Sequence, residues 1–165
     1  MAIPNYLPQK SYIQNLYRLE NANDDSGNNR NLTKAGTVSY TTGKIDNGAS
    51  ANWGYSNRLY GSTFTVGTGD FTMCCWIKKN GVPTGDYVPI IVMIGAQSVK
   101  AALIAEKSTG YSRFQIYVDP TEKIITSTIN ICDNSWHHIC GVRSGSDMKL
   151  YIDGSEASSE NKTTI

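Results

Sequence analysis

The sequence has few charged residues and no segment dominated by one sign of charge. Of its 165 residues, 15 are Lys or Arg and 14 are Asp or Glu, so the net charge is +1. Because Lys and Arg are nowhere concentrated, we expect no nucleic-acid partner and no anionic membrane surface as a partner. The chain also lacks any window of about 18 apolar residues, so we expect no membrane insertion.

Histidine and cysteine are too sparse to indicate a metal or catalytic centre. The only histidines are His137 and His138, and neighbours on a strand point to opposite faces, so they cannot chelate one metal. The cysteines show no Cys-x-x-Cys spacing: Cys74, Cys75, Cys132 and Cys140. We interpret them as small buried thiols in a β core. The alternative is a Cys132–Cys140 disulfide, which the spacing does not decide.

The first residues lack both a basic start and an apolar run of signal-peptide length, so we expect no cleaved secretion signal. Residues 1–11 contain Pro4 and Pro8, which favour an extended arm over a strand. Such an arm is either a tether along a partner subunit or a loosely held terminus. Residues 12–165 have a length that suits a single domain.

The sequence does contain the alternation that is typical of β proteins. Met148, Leu150 and Ile152 alternate with polar or amphipathic residues, and Asp153-Gly154 follows as a turn. The run from Trp136 to Arg143 is a second strand, and the polar residues between the two runs predict a hairpin. Comparable runs recur between turn residues, at 12–19, 32–40, 70–78, 88–95, 101–105, 113–119 and 123–129. About ten or eleven short strands without a helix predict a two-sheet sandwich.

Three stretches resemble laminin-G-like domains of the concanavalin A-like lectin/glucanase superfamily, and they occur in that family's order. They are Asp24-Asp25-Ser26-Gly27-Asn28-Asn29, then Gly69-Asp70-Phe71-Thr72 through Trp76-Ile77-Lys78, and then Trp136-His137-His138-Ile139 with Leu150-Tyr151-Ile152-Asp153-Gly154. The resemblance implies an all-β fold, an antiparallel two-sheet jelly-roll sandwich of the concanavalin A type. It says little about function, because one fold serves many functions.

The glutamates do not match the catalytic pattern of the glucanases in that superfamily. Those enzymes place two Glu close together on one strand, so that paired carboxylates flank the glycosidic bond. No such motif occurs among the glutamates of this chain, which are Glu20, Glu106, Glu122, Glu156 and Glu160. The resemblance makes His137 and His138 structural, one against the core and one at the surface. We therefore expect that the chain is not an enzyme.

Calcium is the cofactor that the resemblance suggests. Asp24, Asp25 and Asn28 lie in a loop over residues 20–31 and supply the hard oxygen ligands that calcium takes. Their spacing is not that of an EF-hand loop. The alternative is a turn in which the Asp and Asn side chains bond their own backbone.

Trp53, Tyr55 and Arg58 are the candidate ligand-binding residues. They lie in a stretch rich in Gly, Ser and Asn, where aromatic rings can stack on sugar faces while Asn and Arg bond the hydroxyls. The alternative is that at least Tyr60, at the end of this stretch, belongs to the core.

Members of the family usually continue for several strands beyond the Asp-Gly turn at Asp153. We therefore expect a sandwich that is incomplete at its C-terminus and whose open edge pairs with another copy or another assembly subunit. With the proline-containing arm, this predicts a non-enzymatic structural or assembly component, such as a phage or virus surface, decoration or tail protein. The expected location is a virion or an extracellular surface. The alternative is a lectin or adhesin module that binds glycans.

Overall fold

A computed structural model describes residues 12–52, 56–61, 69–85, 87–94, 100–118 and 121–161. The extended elements of these residues are antiparallel β-strands, and the chain divides into two compact units, Met1–Ser62 and Thr63–Ile165. Within these ranges no helix is long and apolar enough to span a membrane. The predicted arm over residues 1–11 lies outside the described residues, and the single domain over 12–165 stays a prediction.

The first unit holds two short antiparallel strand pairs. Strand β1 (Thr33–Ala35) pairs with β4 (Arg58–Tyr60), and β2 (Ser39–Thr42) forms a hairpin with β3 (Asn47–Ser50). The continuous strand predicted over residues 32–40 is therefore interrupted, and its two ends pair with different partners.

No strand forms over residues 12–19, where the alternation predicted the first one. The Gln14 carbonyl accepts hydrogen bonds from the side chains of Ser26, Asn28 and Arg30. The Leu16 amide donates to Asp24 at 3.0 Å. Side chains of the following loop thus satisfy the peptide groups that a strand ladder would have used, and the prediction is wrong for this reason.

The second unit is a sandwich of two four-stranded antiparallel sheets. Sheet I has the order β12 (Ser155–Asn161), β11 (Asp147–Ile152), β10 (Asp133–Ser144), β5 (Phe71–Asn80). Sheet II has the order β6 (Val88–Ile94), β7 (Lys100–Ala105), β8 (Tyr111–Val118), β9 (Thr121–Asn130). The predicted all-β, two-sheet jelly-roll architecture is confirmed.

The core of this unit lies between the inner faces of the two sheets. Met148, Leu150 and Ile152 alternate inward along β11 as predicted. Gly141 on β10 packs against Phe114 on β8, and a Cβ at Gly141 would lie 2.6 Å from the Phe114 ring. Glycine is therefore required where the sheets approach. The buried apolar residues of this core are Met73, Ala101, Leu103, Ala105, Phe114, Ile116, Ile125, Ile131, Cys132, Ile139, Met148, Leu150 and Ile152.

Strand β5 turns one face toward the core and the other toward solvent. Phe71, Met73 and Ile77 pack toward the core, whereas Trp76 points outward and is 40% exposed. The partly apolar residues on both faces of 70–78 predict a central strand covered on both sides. That prediction is wrong: β5 ends sheet I among the described strands, and its outward side chains are exposed to solvent.

The residues after Gly154 are mostly polar, and this composition predicts a polar tail that carries Glu156 and Glu160. It instead pairs with β11 from Ile152↔Ser155 to Asp147↔Asn161. Among the side chains of this strand that the structure describes, Ala157 alone packs against the buried core. An edge strand with so little apolar contact needs no hydrophobic alternation, so its sequence carries no strand signal.

Candidate functional site

A cluster of polar and aromatic side chains occupies the outer face of sheet II. We call it the Arg113 cluster: Tyr87, Glu106, Arg113, Gln115 and Glu122. Its placement follows from the alternation of β8, because Phe114 and Ile116 enter the core and the intervening side chains must point outward. Glu122 comes from β9, Tyr87 immediately precedes β6, and Glu106 immediately follows β7.

Arg113 is the centre of the cluster. Its Nη2 donates a hydrogen bond to Gln115 Oε1 at 2.9 Å. Glu106 Oε1 lies 3.7 Å from Nη1, and Glu122 Oε1 lies 3.8 Å from Nη2. Gln115 Nε2 in turn donates to Glu122. The Arg113 side chain is only 12% exposed, so the guanidinium is held in place by its neighbours.

Aromatic rings flank this charged network. The Tyr87 ring centroid lies 5.0 Å from Arg113 Cζ and 5.8 Å from Lys107 Nζ, and Tyr87 is 44% exposed. Farther along β8, the Tyr117 ring lies 5.5 Å from Lys100 Nζ. These cation–π contacts orient the rings and leave part of the Tyr87 surface in solvent.

This arrangement suits binding better than hydrolysis. A glycosidase leaves the space between its two carboxylates open for the glycosidic bond. Here the guanidinium of Arg113 bridges Glu106 and Glu122. The carboxylates are also too far from Arg113 for full hydrogen bonds, since such bonds are normally shorter than about 3.2 Å. They therefore keep acceptor capacity for the hydroxyl groups of a ligand.

The ligand residues predicted from the sequence lie elsewhere in the chain. Trp53 and Tyr55 lie outside the described residues. Arg58 is on β4, with its Cζ 5.4 Å from the Tyr60 ring. Tyr60 is 47% exposed, so the alternative that placed it in the core is wrong. Ligand binding by Trp53, Tyr55 and Arg58 stays a prediction.

Asp24, the first residue of the predicted calcium set, is surrounded by hydrogen-bond donors. Its Oδ1 accepts from the amides of Leu16 at 3.0 Å and Ser26 at 2.9 Å. Its Oδ2 accepts from Ser26 Oγ at 2.8 Å and the Arg30 amide at 3.0 Å. Burial alone would raise the pKa of Asp24, but these hydrogen bonds outweigh burial and lower it. The bond from the Ser26 amide is the side-chain turn that the alternative proposed.

The other two residues of the set are also engaged. The Arg18 guanidinium bonds Asp25, with Nε at 2.9 Å, and lowers the pKa of that carboxyl. Asn28 donates its amide to the Gln14 carbonyl. No group of three or more His, Cys, Asp or Glu able to hold a metal occurs in the described parts of the chain. The residues therefore do not form a ready-made calcium site, and calcium binding stays a prediction.

His137 links the first residue of β10, Asp133, to the residue that follows β11, Asp153. Its Nδ1 lies 2.8 Å from Asp153 Oδ2, and its Nε2 lies 3.1 Å from Asp133 Oδ1. Burial by itself would lower the pKa of His137, but the two carboxylates outweigh burial and raise it. As expected, His137 faces the core while His138 lies on the outer face, with its ring centroid 5.2 Å from that of Trp76.

The sequence reasoning missed the Arg113 cluster. Its members come from separate segments, and none forms a motif with its own neighbours. The alternation along β8 could have indicated part of it. A strand that points Phe114 and Ile116 inward must point Arg113 and Gln115 outward on the same face.

A laminin G-type family model, described as the concanavalin A-like lectin/glucanases superfamily, matches residues 54–165. The human neuronal pentraxin receptor is 27% identical to the chain over 70 residues, which are 42% of this chain and 13% of that protein.

Two solved structures show the fold. The binding domain of Paraclostridial Mosquitocidal Protein 1 has a TM-score of 0.73 and 19% identity, and the match covers 92% of this chain and 40% of that one. Domain 4 of AbnA, a GH43 extracellular arabinanase from Geobacillus stearothermophilus solved in complex with arabinotriose, has a TM-score of 0.63 and 18% identity. That match covers 86% of this chain and 70% of the domain chain. The chain thus spans less than half of the mosquitocidal binding domain and a small part of the pentraxin receptor.

Proposed function

The chain belongs to the laminin G-type, concanavalin A-like lectin/glucanases superfamily, and we propose that it is a non-enzymatic module that binds carbohydrate through the Arg113 cluster. The observation that carries this proposal is the fixed Arg113 guanidinium beside an exposed Tyr87 ring, with two carboxylates near it. A domain of the same fold, AbnA domain 4, is known in complex with arabinotriose, which lends support to a sugar ligand.

The chemistry of the cluster matches the two kinds of surface that a sugar presents. The exposed part of Tyr87 offers an apolar face to the C–H groups of the pyranose or furanose ring. Arg113 is a donor and Glu106 and Glu122 are acceptors, so together they can bond hydroxyls in either direction. Binding sites of this kind combine an apolar wall with a few placed polar groups. The extracellular nature of the arabinanase is consistent with an extracellular role for this chain, which we also propose.

A glycan panel that includes arabino-oligosaccharides tests the proposal. Arg113→Lys should weaken binding by about tenfold or more, because lysine lacks the donor fork of the guanidinium. A hydrogen bond to a charged group contributes about 1.5–3 kcal/mol, and 1.4 kcal/mol is tenfold. Tyr87→Ala should also weaken binding, because it removes the apolar face that the sugar ring contacts. The matched controls are Trp76→Ala, on the outer face of sheet I, and Arg58→Ala, at the alternative site. If binding survives Tyr87→Ala and Arg113→Lys but is lost in Arg58→Ala, the ligand binds at the site predicted from the sequence and not at the Arg113 cluster.

A second candidate is the assembly role, a phage or virus surface component that associates with copies of itself. The observation that favours it is the exposed Trp76, which lies on the outer face of sheet I with the half-buried Trp136 and Val142. Exposed apolar patches of this kind often mark contact surfaces. Light scattering over a range of concentrations should then show an oligomer that Trp76→Ser dissociates. A monomer at all concentrations would remove this candidate.

A further inference from the structure

Two free cysteines face each other on the outer face of sheet I. Cys74 on β5 and Cys140 on β10 are directly opposed in the antiparallel register. Opposed Cα atoms in such a pair are roughly 4.5–5.5 Å apart. A disulfide needs about 4.4–6.8 Å between Cα atoms, so the strand geometry already meets its requirement.

The four cysteines are not equivalent. Cys74 is exposed, so the expectation of buried thiols is wrong for it, whereas Cys75 points to the core. Cys132 is buried and is not in register with Cys140. Cys74 is therefore better placed than Cys132 to form a disulfide with Cys140, although the sequence left a Cys132–Cys140 bridge open.

The surroundings of Cys74 favour its thiolate. The Cys140 thiol donates a hydrogen bond to the Cys74 sulfur, and with a smaller contribution from His138 this lowers the pKa of Cys74 to about 6. The pKa of Cys140 is raised because that bond holds its proton. Burial raises the pKa of Cys75 to about 12. The titratable side chains facing Cys74 are Cys140 and His138, and Tyr151 on β11 lies opposite Cys140.

We propose that Cys74 and Cys140 are a redox-active pair that exchanges with small-molecule disulfides and closes into a reversible cross-strand disulfide. In the first step the Cys74 thiolate attacks one sulfur of the reagent. A mixed disulfide forms, the reagent's own sulfur–sulfur bond breaks, and one small thiolate leaves. In the second step Cys140 passes its proton to that thiolate and attacks the Cys74 sulfur.

The second attack forms the Cys74–Cys140 bond and expels the other half of the reagent, which takes a proton from water when its own pKa is higher than the pH. Two electrons pass from the cysteine pair to the reagent, which is reduced to two thiols. Oxidation would tie β5 to β10 and fix the Trp76 and His138 face, because these residues lie two pairs farther along the same register and on the same face. The reaction is independent of carbohydrate binding by sheet II.

Mass spectrometry of the full, reduced chain treated with oxidised glutathione at pH 7 tests the pair. The unmodified chain should lose two hydrogens and keep no adduct. Cys140→Ser should stop at one glutathione adduct, and Cys74→Ser should give neither product. Cys132→Ser is the matched control and should behave as the unmodified chain does. A lasting adduct on the unmodified chain, or loss of the bridge in Cys132→Ser, would overturn the proposal.

The pH dependence of alkylation by iodoacetamide tests the attacking role without any variant. The rate at Cys74, located by peptide mapping, should change little between pH 7 and 8. An ordinary thiol, with a pKa of about 8.5, should react several-fold faster at pH 8 because its thiolate fraction rises. A several-fold rise at Cys74 would show that it is an ordinary thiol and would contradict its role as the attacking group.

Discussion

The two outer faces of the sandwich carry different chemistry although they cover the same core. The outer face of sheet II holds a charged network around Arg113 with tyrosines beside it. The outer face of sheet I carries Trp76, His138 and two opposed thiols. Both faces arise from the same strand alternation, which commits one side of each strand to the core and leaves the other side open to specialise. This difference is why we propose recognition of a polar ligand for sheet II and thiol chemistry for sheet I.

The largest expected effect comes from disturbing the core that both faces share. Gly141→Ala would push a methyl group into the Phe114 ring, and overpacking of this kind costs about 1–3 kcal/mol of unfolding free energy. Urea unfolding should show the loss. Gly69→Ala is the matched control, because no atom beyond the chain neighbours lies within 4 Å of a Cβ at that position and its φ is not in the left-handed region. Equal stability of the two variants would contradict the close approach of β8 and β10.

A smaller effect should follow removal of the His137 contacts, which belong to sheet I alone. His137→Ala removes hydrogen bonds to Asp153 and Asp133, and we expect a loss of about 1–2 kcal/mol, because both carboxylates are partly solvated. Glycan affinity at sheet II should not change. A loss of affinity as large as that caused by Arg113→Lys would show that the two faces are coupled.

The stabilisation by His137 should depend on pH in a defined direction. Its folded pKa is raised, so its contribution is complete below the unfolded value of about 6.5 and is lost as the pH rises through the folded pKa. The pKa values of Asp133 and Asp153 are lowered, so their contribution is present above about 3.9 and is lost as the pH falls through their folded values. The difference in unfolding free energy between the unmodified chain and His137→Gln should therefore be largest between about pH 4 and 6.5. A difference that is constant from pH 4 to 9 would contradict an ionic role.

Trp76→Ala should have a still smaller effect on stability. It removes the ring contact with His138, and aromatic pairs contribute about 0.5–1.5 kcal/mol. The low end is expected here, because Trp76 is exposed. Thermal unfolding measures the loss, and a drop larger than that of Gly141→Ala would contradict the solvent-facing position of β5.

Calcium is expected to have the smallest effect. The oxygens of Asp24 already accept four hydrogen bonds, so adding calcium or chelator should not shift the melting temperature. A stabilisation by calcium that Asp25→Asn removes would support the calcium site that the sequence predicts.

The sequence predicted strands correctly where one face of the strand is buried in the core, because burial of one face imposes an alternating hydrophobic pattern. Met148, Leu150 and Ile152 were predicted to point inward because one-sided burial imposes alternation on β11. The prediction failed for residues 12–19, where loop side chains replace a strand ladder, and for β12, whose edge position imposes no alternation.

The Arg113 cluster could not be read from any single segment. The register of β8 with β9 and β7, together with the ends of β6 and β7, brings its members together. Register is a property of paired strands, and an isolated stretch of sequence does not contain it.

Backbone NMR can test directly whether the Arg113 cluster is the carbohydrate-binding site. The best glycan from the panel would be titrated into isotopically labelled protein, and the shifted amide signals would be assigned. We predict shifts at Tyr87, Arg113, Gln115 and Glu122, with no shifts at Cys74 and Trp76. Shifts confined to Trp53, Tyr55 and Arg58, or to the outer face of sheet I, would contradict this prediction.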